Sequence, residues 1–269
     1  MKSTWAKQVK KYCFAGMVAV SGFGFLGDGV AQVEVLLKDD FESYPVGESI
    51  YGSNPGDDNP ENWVLQFEET SQGVMIREGS STVPANAAEE AGENKKVAEF
   101  FKKDTSIDTF PTFRRNFEPQ RGAVQTVFKI RIDDPESATH QVVLGSIVPR
   151  EIGVAARFRF GPQGFSVYGA STKAGGEPAK IQPVVSDVYV GDWYEVTIFA
   201  DMLQQTFWAS VTNLDNDEPG QSGVSDAFYF WADVRVVNRW AAEQATPGTL
   251  GVSFDDIVVE RVPPQEKKN

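Results

Sequence analysis

The chain has 269 residues, with 25 Lys and Arg against 38 Asp and Glu, a formal net charge of −13. So acidic a surface repels a phosphate backbone and excludes nucleic acid as the partner. One cysteine, Cys13, excludes an intrachain disulfide, and one histidine, His140, excludes a zinc site built from spaced histidines.

Residues 1–12, MKSTWAKQVKKY, carry four lysines and no acid, and the apolar run Cys13–Gly27 follows. Gly29-Val30-Ala31 has the small-x-small form of a cleavage site. These are the three parts of a secretory signal, so residues 1–31 are expected to be removed and the protein secreted, to the periplasm or beyond. The run is too short and glycine-rich to cross ~30 Å of hydrocarbon, so no membrane span is expected. Cys13 lacks a lipoprotein box. Cleavage takes away Lys2, Lys7, Lys10, Lys11 and Asp28, and the net charge becomes about −16. About 238 residues remain, enough for one β-sandwich domain over 32–262, expected to be a monomer. Thr82–Lys96, rich in Ala, Glu and Asn, reads as a flexible loop or short helix, and Pro263–Asn269 as a short disordered tail.

Strands announce themselves by period-two alternation. In Val124–Ile132, Phe128, Ile130 and Ile132 share one face, and Val127, Lys129 and Arg131 the other. In Val154–Phe160, Val154, Ala156, Phe158 and Phe160 oppose Arg157 and Arg159. Gly164–Tyr168 follows across the turn Gly161-Pro162-Gln163-Gly164 and predicts a hairpin. Further strands are expected at Trp193–Phe199, Thr206–Val211, Phe228–Val237 and Val252–Val259. No long amphipathic helical window occurs. The fold class is all-β: a two-sheet antiparallel β-sandwich of jelly-roll type.

The domain opens on Asp39-Asp40-Phe41-Glu42-Ser43-Tyr44-Pro45-Val46-Gly47 and closes on Phe254-Asp255-Asp256-Ile257-Val258-Val259. Gly191-Asp192-Trp193-Tyr194-Glu195-Val196 and an expected hairpin over Phe207–Asp215 lie between. In this order the motifs resemble the concanavalin A-like lectin/glucanase superfamily, in its bacterial laminin-G-like branch, over roughly Asp39 to Glu260. The resemblance implies that the first and last strands are neighbours. It does not imply an activity, because such folds host lectins, binding modules, hydrolases and lyases.

If those strands are neighbours, Asp40 and Glu42 approach Asp255 and Asp256. Converging carboxylates without a basic partner suit a hard cation, so a structural calcium ion is expected there. The acidic runs Asp57-Asp58-Asn59 and Asp215–Glu218 read as solvated turns. Out of phase with the core stand Lys129, Arg131, Arg157, Arg159, Trp193 and Trp208, with Tyr168 as a companion. Aromatic faces pack on the C–H faces of sugars, and guanidinium forks bind hydroxyls or carboxylates. These seven residues are therefore the candidate carbohydrate site.

A retaining hydrolase of this fold needs paired carboxylates on one strand face, and no E-x-D-x-x-E string occurs. A polysaccharide lyase would need a cation for the uronate carboxylate and a Tyr or His to move the α-proton. His140, Arg157 and Tyr168 are its candidates. The reading is thus a secreted, non-catalytic glycan-binding sandwich with a structural calcium. A lyase acting on acidic polysaccharide is the alternative, and a structural or adhesive surface domain the third class.

Overall fold

Alternation of apolar and polar residues produces the strands, and their pairing decides which alternate face becomes the core. The computed structural model describes residues 33–48, 50, 63–66, 72–78, 96–102, 112–172, 176–246 and 250–262. The expected signal segment and the tail Pro263–Asn269 lie outside these, as does Thr82–Lys96 apart from Lys96. In chain order the strands are β1 (Glu34–Asp39), β2 (Val64–Gln66), β3 (Gln72–Glu78), β4 (Lys96–Lys102), β5 (Thr112–Gln120) and β6 (Ala123–Ile132). Then come β7 (His140–Ser146), β8 (Gly153–Gly161), β9 (Gly164–Thr172), β10 (Gly176–Val185) and β11 (Trp193–Asp201). Last are β12 (Thr206–Asn213), β13 (Gly223–Val224), β14 (Phe228–Tyr229), β15 (Val237–Gln244) and β16 (Leu250–Val262).

Every pairing among them is antiparallel. The ladder runs β2-β5-β15-β7-β8-β9-β14-β12-β11-β6-β16-β4-β3, with β1 on β16, β10 on β9 and β13 on β12. It folds back on itself at the two-residue strand β14. One layer, β5-β15-β7-β8-β9, thereby faces the other, β12-β11-β6-β16-β4. Ring contacts across the gap establish this packing. Trp240 meets Phe128 at 5.8 Å and Phe254 at 5.9 Å. Phe158 meets Phe128 at 6.5 Å, and Phe165 meets Tyr194 at 4.8 Å. The all-β, two-layer architecture expected from the alternation is the one observed.

The hairpin across Gly161 and Gly164 forms as predicted, with those two residues paired. Gly164 has φ +127, and a Cβ there would stand 2.5 Å from the Val185 carbonyl oxygen, so only glycine fits. Phe228–Val237 is not one strand. It leaves β14, crosses between layers and enters β15 at Val237, with Phe230, Val234 and Val236 buried as a plug under the crossing.

The first and last strands pair, Asp39 opposite Ile257. Asp39 is the anchor of this corner. Its Oδ1 accepts the Phe41 amide at 2.9 Å, which holds Phe41 at φ +60, a costly backbone for a bulky residue. Its Oδ2 accepts from Tyr44 Oη (2.9 Å), Trp63 Nε1 (2.6 Å) and Arg115 Nη1 (3.1 Å). The Tyr44 phenol is pushed up to about 12, first by burial and then by the Asp39 charge. Phe41 repays the strained turn by packing on Trp63 and Phe113. Removing the carboxylate leaves Arg115 and the indole N–H without this acceptor. Asp39→Ala is therefore expected to cost about 3–5 kcal/mol, the usual effect of breaking a buried pair. That corresponds to roughly 10 °C in midpoint by calorimetry for a domain of this size. A change below ~2 °C would remove Asp39 from this role.

Candidate functional site

Strand phase sends residues to one of two outer faces, and the candidate sugar-binding residues divide between them. Lys129, Arg131, Trp193 and Trp208 lie on the outer side of β6, β11 and β12. Arg157, Arg159 and Tyr168 lie on the outer side of β8 and β9. The packed core stands between the two sets, so they do not form one groove.

On the β6–β11–β12 face the charges are already partnered. Lys129 Nζ donates to Asp256 Oδ2 at 2.5 Å. Burial works against this ammonium, but the Asp256 hydrogen bond and charge, helped by Asp255 and Glu195, outweigh it and raise its pKa. Arg131 pairs with Asp133 and lies over the Trp193 ring at 4.9 Å. Trp193 is 1% exposed under that lid, so it is not a sugar platform. Trp208 is half-buried and stacks on its cross-strand partner Phe199 at 5.6 Å.

On the β8–β9 face, Arg157 and Arg159 stand two residues apart on one strand. Both guanidiniums lie over the Tyr168 ring, at 5.4 and 4.5 Å. Trp231, just past β14, stacks on Tyr168 at 5.1 Å and 28°, with Arg157 6.0 Å from its centre. Trp231 is 40% exposed and is the outermost ring of the group. The strand reading had passed over it, although it shares phase with Tyr229, opposite the buried Phe228 and Phe230. Cross-strand register extends the face as one row, Glu243–Gln141–Arg159–Ser166. Gln141 donates to Glu243. The Nε atoms of Arg157 and Arg159 are buried without a hydrogen-bond partner. Burial pulls the Arg157 pKa down, and the neighbouring Arg159 adds to that while Glu243 opposes it.

His140 does not join Arg157 and Tyr168. It is fully buried on the inner face of β7, in phase with Val142 and Leu144. Its ring stacks on Phe160 at 5.4 Å and meets Phe100 edge-on at 6.0 Å. Ser137 Oγ lies 3.0 Å from Nε2. Burial lowers its pKa to about 3. The lyase scheme therefore loses its imidazole to the core.

The four acids expected to hold calcium do not converge. Asp40 caps the Glu42 amide at 3.3 Å, and Glu42 Oε1 accepts the Lys96 amide at 2.9 Å. Lys96 Nζ closes the same turn on the Glu42 and Tyr44 carbonyls. Simple alternation would put Asp256 in phase with Phe254. Instead, a bulge between Asp255 and Val258 resets the alternation, with Asp256 at φ +46 and its carboxylate on Lys129. Asp255 accepts the Asp256 amide at 2.8 Å. The Lys129 ammonium thus takes the Asp256 carboxylate, and the Lys96 backbone amide takes that of Glu42. Among the described residues no group of three or more His, Cys, Asp or Glu is arranged to hold a metal.

No protein-family model matches the sequence, and no curated protein does. Solved structures share the fold. The chain is similar to part of a protein described as a sialidase, with a TM-score of 0.53 and 12% identity. That match covers 87% of this chain and 19% of the other, so the chain spans about a fifth of the sialidase. The CBM2 module of the evolved Dit of Lactobacillus casei BL23 phage J-1 matches with a TM-score of 0.49 and 11% identity, over 85% of this chain and 95% of that one. Lectin II from Ulex europaeus matches at 0.41 and 11%, over 82% and 98%. The likeness to the sialidase segment is one of fold, a two-layer antiparallel β-sandwich.

Two predictions follow from this geometry. The unfolded chain takes up a proton on His140 near pH 6.5, while the folded state refuses it down to about 3. Stability from the neutral ring is complete above pH 6.5 and is lost as pH falls toward 3, by about 1 kcal/mol per pH unit. Thermal midpoints measured between pH 7 and 4 should fall less steeply in His140→Phe, and parallel curves would contradict the buried assignment. Asp256→Asn keeps a residue tolerant of the left-handed backbone but discharges the pair with Lys129. The expected loss is below ~1 kcal/mol, the same in chelator and in millimolar calcium. A calcium-dependent rise in the chelated wild type that is absent from the variant would restore the metal.

Proposed function

We propose that the protein is a secreted, non-catalytic carbohydrate-binding domain that holds its glycan on the outer face of β8 and β9. One observation carries this reading: Tyr168 is held against Trp231 and two guanidiniums on a strand face the core does not use. Trp231 offers a ring face to the C–H face of a sugar, and the arginine forks offer directed hydrogen bonds to its oxygens. The stack is already ordered, so binding costs little side-chain entropy. The reading is non-catalytic because the roles a lyase needs are split between the core and the surface. In the row that runs from β15 across β7 and β8 to β9, the acid, Glu243, is engaged by Gln141.

Trp231→Ala tests it. Isothermal titration against an oligosaccharide selected from a glycan array should show binding at least tenfold weaker, ~1.4 kcal/mol. The midpoint should stay within ~2 °C, because the ring is partly exposed and outside the core. Full affinity in Trp231→Ala, or a loss in Trp208→Ala instead, would move the site off this face.

A further inference from the structure

Arg157 and Arg159 meet aromatic rings where several other basic residues of the sandwich surface meet a carboxylate. Lys129 has Asp256, Arg131 has Asp133, Arg77 has Glu99, and Arg121 has Glu151. Arg157 and Arg159 contact aromatic rings, and among the described residues neither makes an ion pair. Their side chains share one face of β8 with Cα atoms about 7 Å apart, the two-residue repeat of a strand. Glu243 lies two strands from Arg159 through Gln141, roughly 10 Å across the sheet, and its carboxylate takes the Gln141 amide.

Two adjacent like charges held in this way on a protein of net charge −13 raise a question of complementarity. Glu243 acts on Arg157 only through space, and among the described residues no carboxylate forms an ion pair with either guanidinium. Partial burial of the pair makes the missing counter-charge more costly than it would be in open solvent. Tyr168 compensates through its ring face, but a cation–π contact supplies about 0.5–2 kcal/mol and leaves the guanidinium forks able to take two oxygens each. An anionic group set beside a sugar ring would meet both requirements: the oxygens on the arginines, the ring on Trp231.

We propose that the ligand of this face is an anionic glycan, its carboxylate or sulfate seated on Arg157 and Arg159 and its ring on Trp231. The proposal rests on the carbohydrate-binding reading and narrows it to one class of sugar. Only a local site achieves this, because the protein as a whole repels polyanions.

The test uses the full chain with three oligosaccharide probes of matched length. They are oligogalacturonate, the same oligomer carboxyl-reduced to neutral galactose units, and a sulfated galactan. Titration calorimetry at low salt should give binding to oligogalacturonate at least tenfold tighter than to its reduced form. Binding to the sulfated probe instead of the uronate assigns the anion as sulfate. Arg157→Gln and Arg159→Gln should each remove the preference for the charged probe while leaving the thermal midpoint near wild type. Arg159→Lys keeps the charge but loses the fork, and should retain only part of the preference. Raising the salt should weaken the charged probe and not the neutral one. Equal affinity for the acid and reduced forms in the wild type overturns the anionic assignment and leaves the glycan-binding reading standing. Absence of binding to all three, together with a blank glycan array, overturns both.

Discussion

Trp240 meets Phe128 and Phe254 edge-on, with centroids 5.8 and 5.9 Å away, and these contacts across the sandwich are what the rest of the molecule depends on. The two layers belong to one hydrogen-bonded ladder, which bends back at a strand of two residues. No disulfide can hold the bend closed in a chain with one cysteine. Aromatic burial on the inner faces must do it, at about 25 cal/mol for each Å² withdrawn from water. The inner phase of every strand is committed to that task. His140 shows how strict the commitment is, since even the chain's one imidazole is held neutral there, between Phe100 and Phe160.

With the inner phase taken, chemistry is confined to the outside, and the two outer faces solve the electrostatic problem differently. The β6–β11–β12 face balances itself: each cation named there has a carboxylate, and Arg131 serves as the cover of Trp193. Such pairs contribute little to stability, but they leave no charge for a ligand to satisfy. On the β8–β9 face aromatic rings stand where carboxylates would be expected. Rings stabilise guanidiniums without neutralising them, which keeps that face receptive.

Strands with large apolar residues in strict alternation, β6, β8, β11 and β12, were legible because period two is the direct imprint of a half-buried strand. β15 was not, since Trp240-Ala241-Ala242 breaks the pattern. Ala241 faces outward and is buried all the same, being too small to signal its side. The phases of Arg157, Arg159, Tyr168 and Trp208 were read correctly as outward. Which outside each reached was not readable, because layer membership follows from the order in which strands pair. The bulge at Asp256 was hidden for a similar reason. A single inserted residue reverses the phase, and the doubled aspartate gives only a weak hint of it. Asp39 stood in the opening motif, yet its importance comes from Trp63 and Arg115, which are 24 and 76 residues away.

The pairing of β1 with β16 has a geometric consequence of its own. Glu34 lies opposite Arg261, so the backbone enters and leaves the domain one ladder rung apart, about 5 Å. Both ends sit on the layer that does not carry Arg157 and Arg159. A domain built in this way behaves like a plug-in cassette. It can be spliced into a surface loop of another protein, or its ends joined and reopened elsewhere, with little disturbance to the ladder. Moored by that corner, it would present the arginine face away from whatever carries it.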